Sequence, residues 1–128
     1  MNAKNTKYLF NNFSFLDPAE PLTLSLVDNG FECGDGWFEI IKELCEKLKT
    51  FNMPKFQVLQ VKEKMGSLCF NAIGAPRGLI KTVNSLINEA EAKSLRVCEI
   101  CGELTAPRKR EWPISTICTN CSIKKTKK

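Results

Sequence analysis

Histidine is absent from all 128 residues, and that absence narrows the chemistry sharply. The commonest general base and proton shuttle is missing, which rules out imidazole-dependent mechanisms such as those of the zinc-stapled His-Asn-His nucleases. A nucleophilic cysteine lacks its usual basic partner, and any zinc must be held by thiolates or carboxylates. Long apolar runs are missing too, and no stretch approaches the ~20 residues that span a bilayer. Asn11, Asn12 and Ser14 interrupt the aromatic stretch from Tyr8 to Leu16, and no small-residue cleavage site follows it. That argues against a secretory signal. The Gly-x-x-x-x-Gly-Lys-Ser/Thr phosphate cradle does not occur. Asp35, Glu39 and Glu63 show no paired-carboxylate spacing that would single them out as magnesium ligands. The sequence therefore points away from an enzyme.

What the chain does have is cysteine. Cys98-Glu99-Ile100-Cys101 is followed, after sixteen residues, by Cys118-Thr119-Asn120-Cys121. A two-residue gap lets both thiolates of a pair curl around one tetrahedral ion, and two such pairs joined by a short loop read as a structural zinc site. Gly102 follows the first pair, where a tight turn is needed. Two redox dithiols or structural disulfides are the alternative. Four thiolates close the coordination shell, so one structural zinc ion is expected on Cys98, Cys101, Cys118 and Cys121. The total of seven cysteines is odd, which fits a reducing cytoplasm better than a disulfide framework. Cys33, Cys45 and Cys69 fall outside the pairs, and Cys45 sits beside an apolar helical stripe as a small core residue.

Charge is uneven. Residues 1–95 hold eleven Lys+Arg and eleven Asp+Glu, so the net +5 comes entirely from residues 96–128, with eight basic residues against Glu99, Glu103 and Glu111. Four thiolates around a divalent ion add about −2 there, which trims the basic character without removing it.

The apolar pattern divides the chain into an irregular N-terminal arm over 1–21, an α+β core over 22–95 and a zinc-binding module with a basic tail over 96–128. Tyr8, Phe10, Phe13, Phe15 and Leu16 of the arm are expected to dock on the core. Leu22 to Leu26 alternates as a half-buried strand, and Asp28-Asn29-Gly30 supplies a turn. Trp37, Ile40, Ile41, Leu44, Leu48 and Phe51 recur at helical spacing, with Asp35 or Gly36 as cap and Asn52 and Pro54 as stop. Phe56 to Lys64 and Leu68 to Ile73 form a hairpin through Met65-Gly66-Ser67. A second helix runs from about Arg77 to Leu95, its inward side set by Leu79, Ile80, Val83, Leu86, Ile87, Ala90 and Leu95. The expected architecture is a two-layer α+β core of two helices and a small, mostly antiparallel sheet. A four-cysteine zinc hairpin of zinc-ribbon or treble-clef type completes it.

Several segments read in two ways. Cys33-Gly34-Asp35-Gly36-Trp37 is either a recognition loop or a helix cap with an aromatic anchor. Gln60 to Lys64 is either a solvated strand face or a contact face for a partner. Trp112, Ile114 and Ile117 between the cysteine pairs supply the small core a metal hairpin needs. Arg108, Lys109 and Arg110, with Lys124 and Lys125 of the tail, either touch phosphates or form a solvated loop and end.

Taken together, Glu32 to Phe38, Leu44-Cys45-Glu46, Gln60 to Leu68, Ala90 to Ser94, the Cys98 pair and Trp112 ahead of Cys118 resemble one set of proteins. These are the small phage and prophage-type proteins, also scattered through bacterial genomes, whose function is uncharacterised. The similarity spans most of residues 32–121 and keeps the motif order. In that set the last ligand pair often ends in His, where this chain has Cys118 and Cys121, a change that preserves zinc binding. The resemblance implies a bacterial or phage setting and supplies no activity. The expected function is that of a non-catalytic accessory protein in the host cytoplasm, away from membranes. It binds a host protein and so inhibits a defence or regulatory factor. The alternative is sequence-nonspecific nucleic-acid binding through the basic zinc module.

Overall fold

A computed structural model describes residues 1–16, 31–104, 116–118 and 121. Among them the chain is α+β, with three α-helices and one two-stranded antiparallel sheet. In order these are α1 (Ala3–Asn12), α2 (Phe38–Lys49), β1 (Gln57–Lys64), β2 (Ser67–Ile73) and α3 (Ile80–Ser94). The expected strand over 22–26 lies outside the described residues. No helix among those described is long and apolar enough to cross a membrane.

The N-terminal arm is a correction, because residues 3–12 are helical rather than irregular. Asn2 caps α1, its side-chain oxygen accepting from the Asn5 backbone N–H at 2.8 Å. Asp35, far along the chain, fixes that first turn by accepting from Asn2 N at 2.7 Å and Asn5 Nδ2 at 3.2 Å. The arm does dock on the core. Leu9, Phe13 and Leu16 are buried, Phe10 stacks on Phe31 at 5.4 Å, and Phe15 meets Phe56 edge-on at 5.3 Å.

Helix α2 buries Ile40, Ile41, Leu44, Cys45 and Leu48, as its spacing predicts. It follows a 3-10 turn over Asp35–Trp37, and neither Asp35 nor Gly36 supplies a side-chain cap. Asp35 instead holds the first turn of α1, and Gly36 N donates to Glu99 O in the cysteine loop.

The hairpin turn is tighter than expected. Met65 and Gly66 both have positive φ, 52° and 85°, and Lys64 pairs directly with Ser67. Two central residues in that region make the primed turn whose twist suits a two-residue hairpin. The register slips between Val58 and Gln60. Such a bulge resets the alternation, so Val58 and Val61, three residues apart, both face the core with Leu68 and Phe70.

Helix α3 covers this sheet, but its inward stripe is Val83, Ile87, Ala90 and Ser94. Ile80 and Leu95, expected inward, are each 42% exposed. Ile80 begins the helix and Leu95 follows its last turn, so both lie at the ends of the stripe. Ser94 is fully buried because its hydroxyl is satisfied twice, donating to Glu91 O at 2.5 Å and accepting from Leu68 N at 2.8 Å. Glu91 Oε2 accepts from Phe70 N at 3.0 Å. The two α3 side chains thus occupy backbone donors of β2 that an incoming strand would otherwise pair with.

Candidate metal centre

Helix α3 runs into a reversing loop that carries the first cysteine pair. Gly102 N donates to Cys98 O at 2.9 Å, Cys98 N donates to Glu103 O at 2.8 Å, and Val97 bridges Leu104 in antiparallel fashion. Gly102 has φ +81°, the left-handed conformation that suits glycine after a Cys-x-x-Cys turn. The second pair is brought in by Thr116, which locks to both partners. Its carbonyl accepts from Glu99 N at 2.9 Å, and its hydroxyl donates to Gly66 O in the β1–β2 turn at 2.6 Å.

The four sulfurs of Cys98, Cys101, Cys118 and Cys121 all lie within 4.8 Å of one another. Cys101 Sγ and Cys118 Sγ stand 3.5 Å apart. Four sulfurs at about 2.3 Å from a tetrahedral zinc would sit about 3.8 Å from each other, so the set fits one metal ion. Ile117 packs with Cys98, Cys118 and Cys121 in a small buried cluster separate from the main core. Trp112 and Ile114 lie outside the described residues.

The electrostatics show what the cluster requires. Burial works against the Cys98 thiolate, but the backbone groups of Cys118, Cys101 and Ile100 outweigh it and lower its pKa to about 6. Cys121 is pushed up to about 12, by burial first and then by the three neighbouring thiols. At Cys101 the Glu103 backbone pulls the pKa down, yet burial with the Cys118 and Cys98 thiols leaves it raised. Without a cation the cluster resists multiple ionisation. A divalent ion bound there would remove that resistance and take the thiolates as its ligands.

The segment Cys33 to Trp37 turns out to be the socket for this loop. Gly36 N donates to Glu99 O at 2.7 Å, Gly34 N donates to Glu99 Oε2 at 3.0 Å, and Trp37 Nε1 donates to Val97 O at 2.9 Å. A Cβ at Gly36 would fall 2.0 Å from Cys98 O, and one at Gly34 would fall 2.4 Å from Glu99 O. The aromatic-anchor reading holds, since Trp37 is fully buried. The glycines serve close backbone approach. Glu99, Thr116, Gly34 and Gly36 were not legible as parts of the centre. The only signal was a Gly-Asp-Gly immediately before tryptophan.

Of the remaining cysteines, Cys33 and Cys45 are buried and Cys69 is partly exposed. Burial pushes the Cys33 thiol up to about 12 and raises Cys45 likewise, so neither is a ready nucleophile. Of the seven cysteines, iodoacetamide should modify Cys69, the partly exposed non-ligand, fastest in metal-loaded protein. Chelation should add the four ligands, with Cys33 and Cys45 reacting last, on unfolding. Peptide mass mapping over time checks that order, and early labelling of Cys45 would contradict it.

The basic residues Arg108, Lys109, Arg110, Lys124 and Lys125 all lie outside the described residues. Comparison of the chain with protein families, with curated proteins and with solved structures returned no match.

Proposed function

We propose that this is a non-catalytic, zinc-stabilised binding protein whose partner is another protein. The observation that carries the reading is the four-sulfur cluster set into the core through Gly34, Gly36 and Trp37. Four thiolates complete the shell of a structural zinc and leave no position for a substrate water. The same loop presents Ile100 and Leu104, which are 47% and 85% exposed, beside the four sulfurs, where a bound ion would hold their backbone in place. Large apolar side chains on a rigid loop suit a protein contact. We further propose, from the phage-type motif order read in residues 32–121, a partner in the bacterial cytoplasm, with inhibition of a defence or regulatory factor as the outcome.

The test has two parts. Elemental analysis of the purified protein should find about one zinc per chain. Affinity capture from bacterial lysate with the native protein should then recover a partner that the Ile100→Asp, Leu104→Asp double variant loses while keeping its zinc. Equal recovery by both proteins would remove the proposed contact.

A second reading has its own support, because the entire +5 lies in residues 96–128. On that reading the protein binds nucleic acid through phosphates, with Arg108, Lys109, Arg110, Lys124 and Lys125 as contacts. Anisotropy with short DNA and RNA would then show affinity falling steeply with salt. Substituting Arg108, Lys109 and Arg110 together would abolish binding. Binding that survives that change would end this reading.

A further inference from the structure

We propose that the metal centre is a peroxide-responsive switch, in which Cys101 and Cys118 form a disulfide that expels the ion. The inference rests on the metal reading above. Its basis is an asymmetry among the four ligands: Cys98, Cys118 and Cys121 are buried, whereas Cys101 is exposed. Cys101 Sγ also stands 3.5 Å from Cys118 Sγ in a partly buried contact, across the gap between the two cysteine pairs. The attackable thiolate and a resolving thiolate are therefore already in contact, the arrangement that favours reversible oxidation.

The chemistry balances with hydrogen peroxide as oxidant. The Cys101 thiolate attacks one peroxide oxygen, the O–O bond breaks, and a sulfenic acid and hydroxide result. The Cys118 thiolate then attacks the Cys101 sulfur and displaces a second hydroxide. Two electrons pass from the thiolate pair to peroxide, and one S–S bond forms. Cys98 and Cys121 remain as the only thiolates, too few to hold the ion. The new bond joins the two halves of the module, so reduction restores the ligand set in place. Expulsion of the ion removes the restraint on the loop that Gly34, Gly36 and Trp37 grip, which couples oxidation to the α2 end of the core.

The experiment uses the full chain carrying Cys69→Ser, which removes the other accessible thiol. Zinc release into a chromogenic chelator is followed as hydrogen peroxide is added, and disulfides are then mapped by mass spectrometry. One zinc should be released for each disulfide formed, with the disulfide between Cys101 and Cys118. Dithiothreitol with added zinc should reverse the change. Zinc retained in the presence of excess peroxide would overturn the switch, as would release with a Cys98–Cys101 or Cys118–Cys121 disulfide, or with sulfinic acid in place of a disulfide. Protein that carries no zinc before oxidant is added would defeat the metal reading and the switch together. Zinc that is present and retained would defeat the switch alone.

Discussion

Replacing Cys98 by serine should remove the metal and lower the melting temperature by about 15 °C. The size follows from the contacts the loop makes with the core rather than from metal affinity alone. Structural zinc in small modules has an apparent binding free energy of about 10–16 kcal/mol at neutral pH, most of which is spent ordering the module itself. What reaches the core is the set of bonds that end on Gly34, Gly36, Trp37 and Gly66. At about 1 kcal/mol net for each, their loss is about 4 kcal/mol. For a chain of this size each kcal/mol shifts the melting temperature by about 3–5 °C. Cys69→Ser should change neither metal content nor melting. Cys45→Ser should lower stability, because Cys45 is fully buried in the core, while leaving the zinc in place. Elemental analysis and circular-dichroism melts separate the three variants. A Cys98→Ser protein that melts within a few degrees of the native one would show that the metal module and the core are independent.

The same centre fixes the direction of pH dependence. In the empty cluster the Cys98 thiol is lowered to about 6 by the backbone groups around it, whereas Cys101 and Cys121 are raised. Metal binding at neutral pH therefore displaces protons from the raised members of the cluster, and affinity weakens as pH falls. In the metal-free protein the depressed Cys98 value contributes stability that is present above the ordinary thiol pKa of 9.0 and is lost as pH drops through about 6. Titration calorimetry in buffers of different ionisation enthalpy measures the proton release.

Much of this centre could be read from local rules. The paired cysteines, the apolar stripe of α2 and the hairpin each depend on residues close in sequence, and each appears where spacing and turn chemistry place it. What escaped depends on distant partners. Helix α1 is rich in asparagine, and its first turn is held by Asp35, more than thirty residues away. Ser94 looks like a helix-surface residue until Leu68 N arrives as its donor. The Val58–Val61 spacing breaks strand alternation, and only the register slip reconciles it. Gly34 and Gly36 resemble a flexible cap because the carbonyls of Cys98 and Glu99 that crowd them come from the far end of the chain.

Those glycines give the sharpest separation between metal binding and general stability. Gly36→Ala should lower zinc affinity about 10–100-fold, the usual range for a change just outside the ligands, and reduce stability by about 3 kcal/mol through overpacking. The added Cβ would sit 2.0 Å from Cys98 O and 2.6 Å from the Glu99 carbonyl, and these are backbone atoms that cannot swing aside. The loop must withdraw, which breaks the 2.7 Å bond from Gly36 N to Glu99 O and shifts Cys98. Gly74→Ala is the matched comparison. Its Cβ would meet Lys55 O at 1.9 Å, and its φ of +86° disfavours alanine, so it should destabilise at least as much. Gly74 follows the end of β2 opposite the Met65–Gly66 turn that Thr116 grips, so its zinc affinity should stay native. Gly78→Ala meets nothing within 4 Å and should alter neither property by more than about 0.5 kcal/mol. Competition against a chromophoric chelator, alongside thermal melts, measures both quantities. If Gly36→Ala and Gly74→Ala lose the same stability and both keep native zinc affinity, the socket is mere packing. If only Gly36→Ala loses affinity, the Gly-Asp-Gly-Trp segment belongs to the metal site.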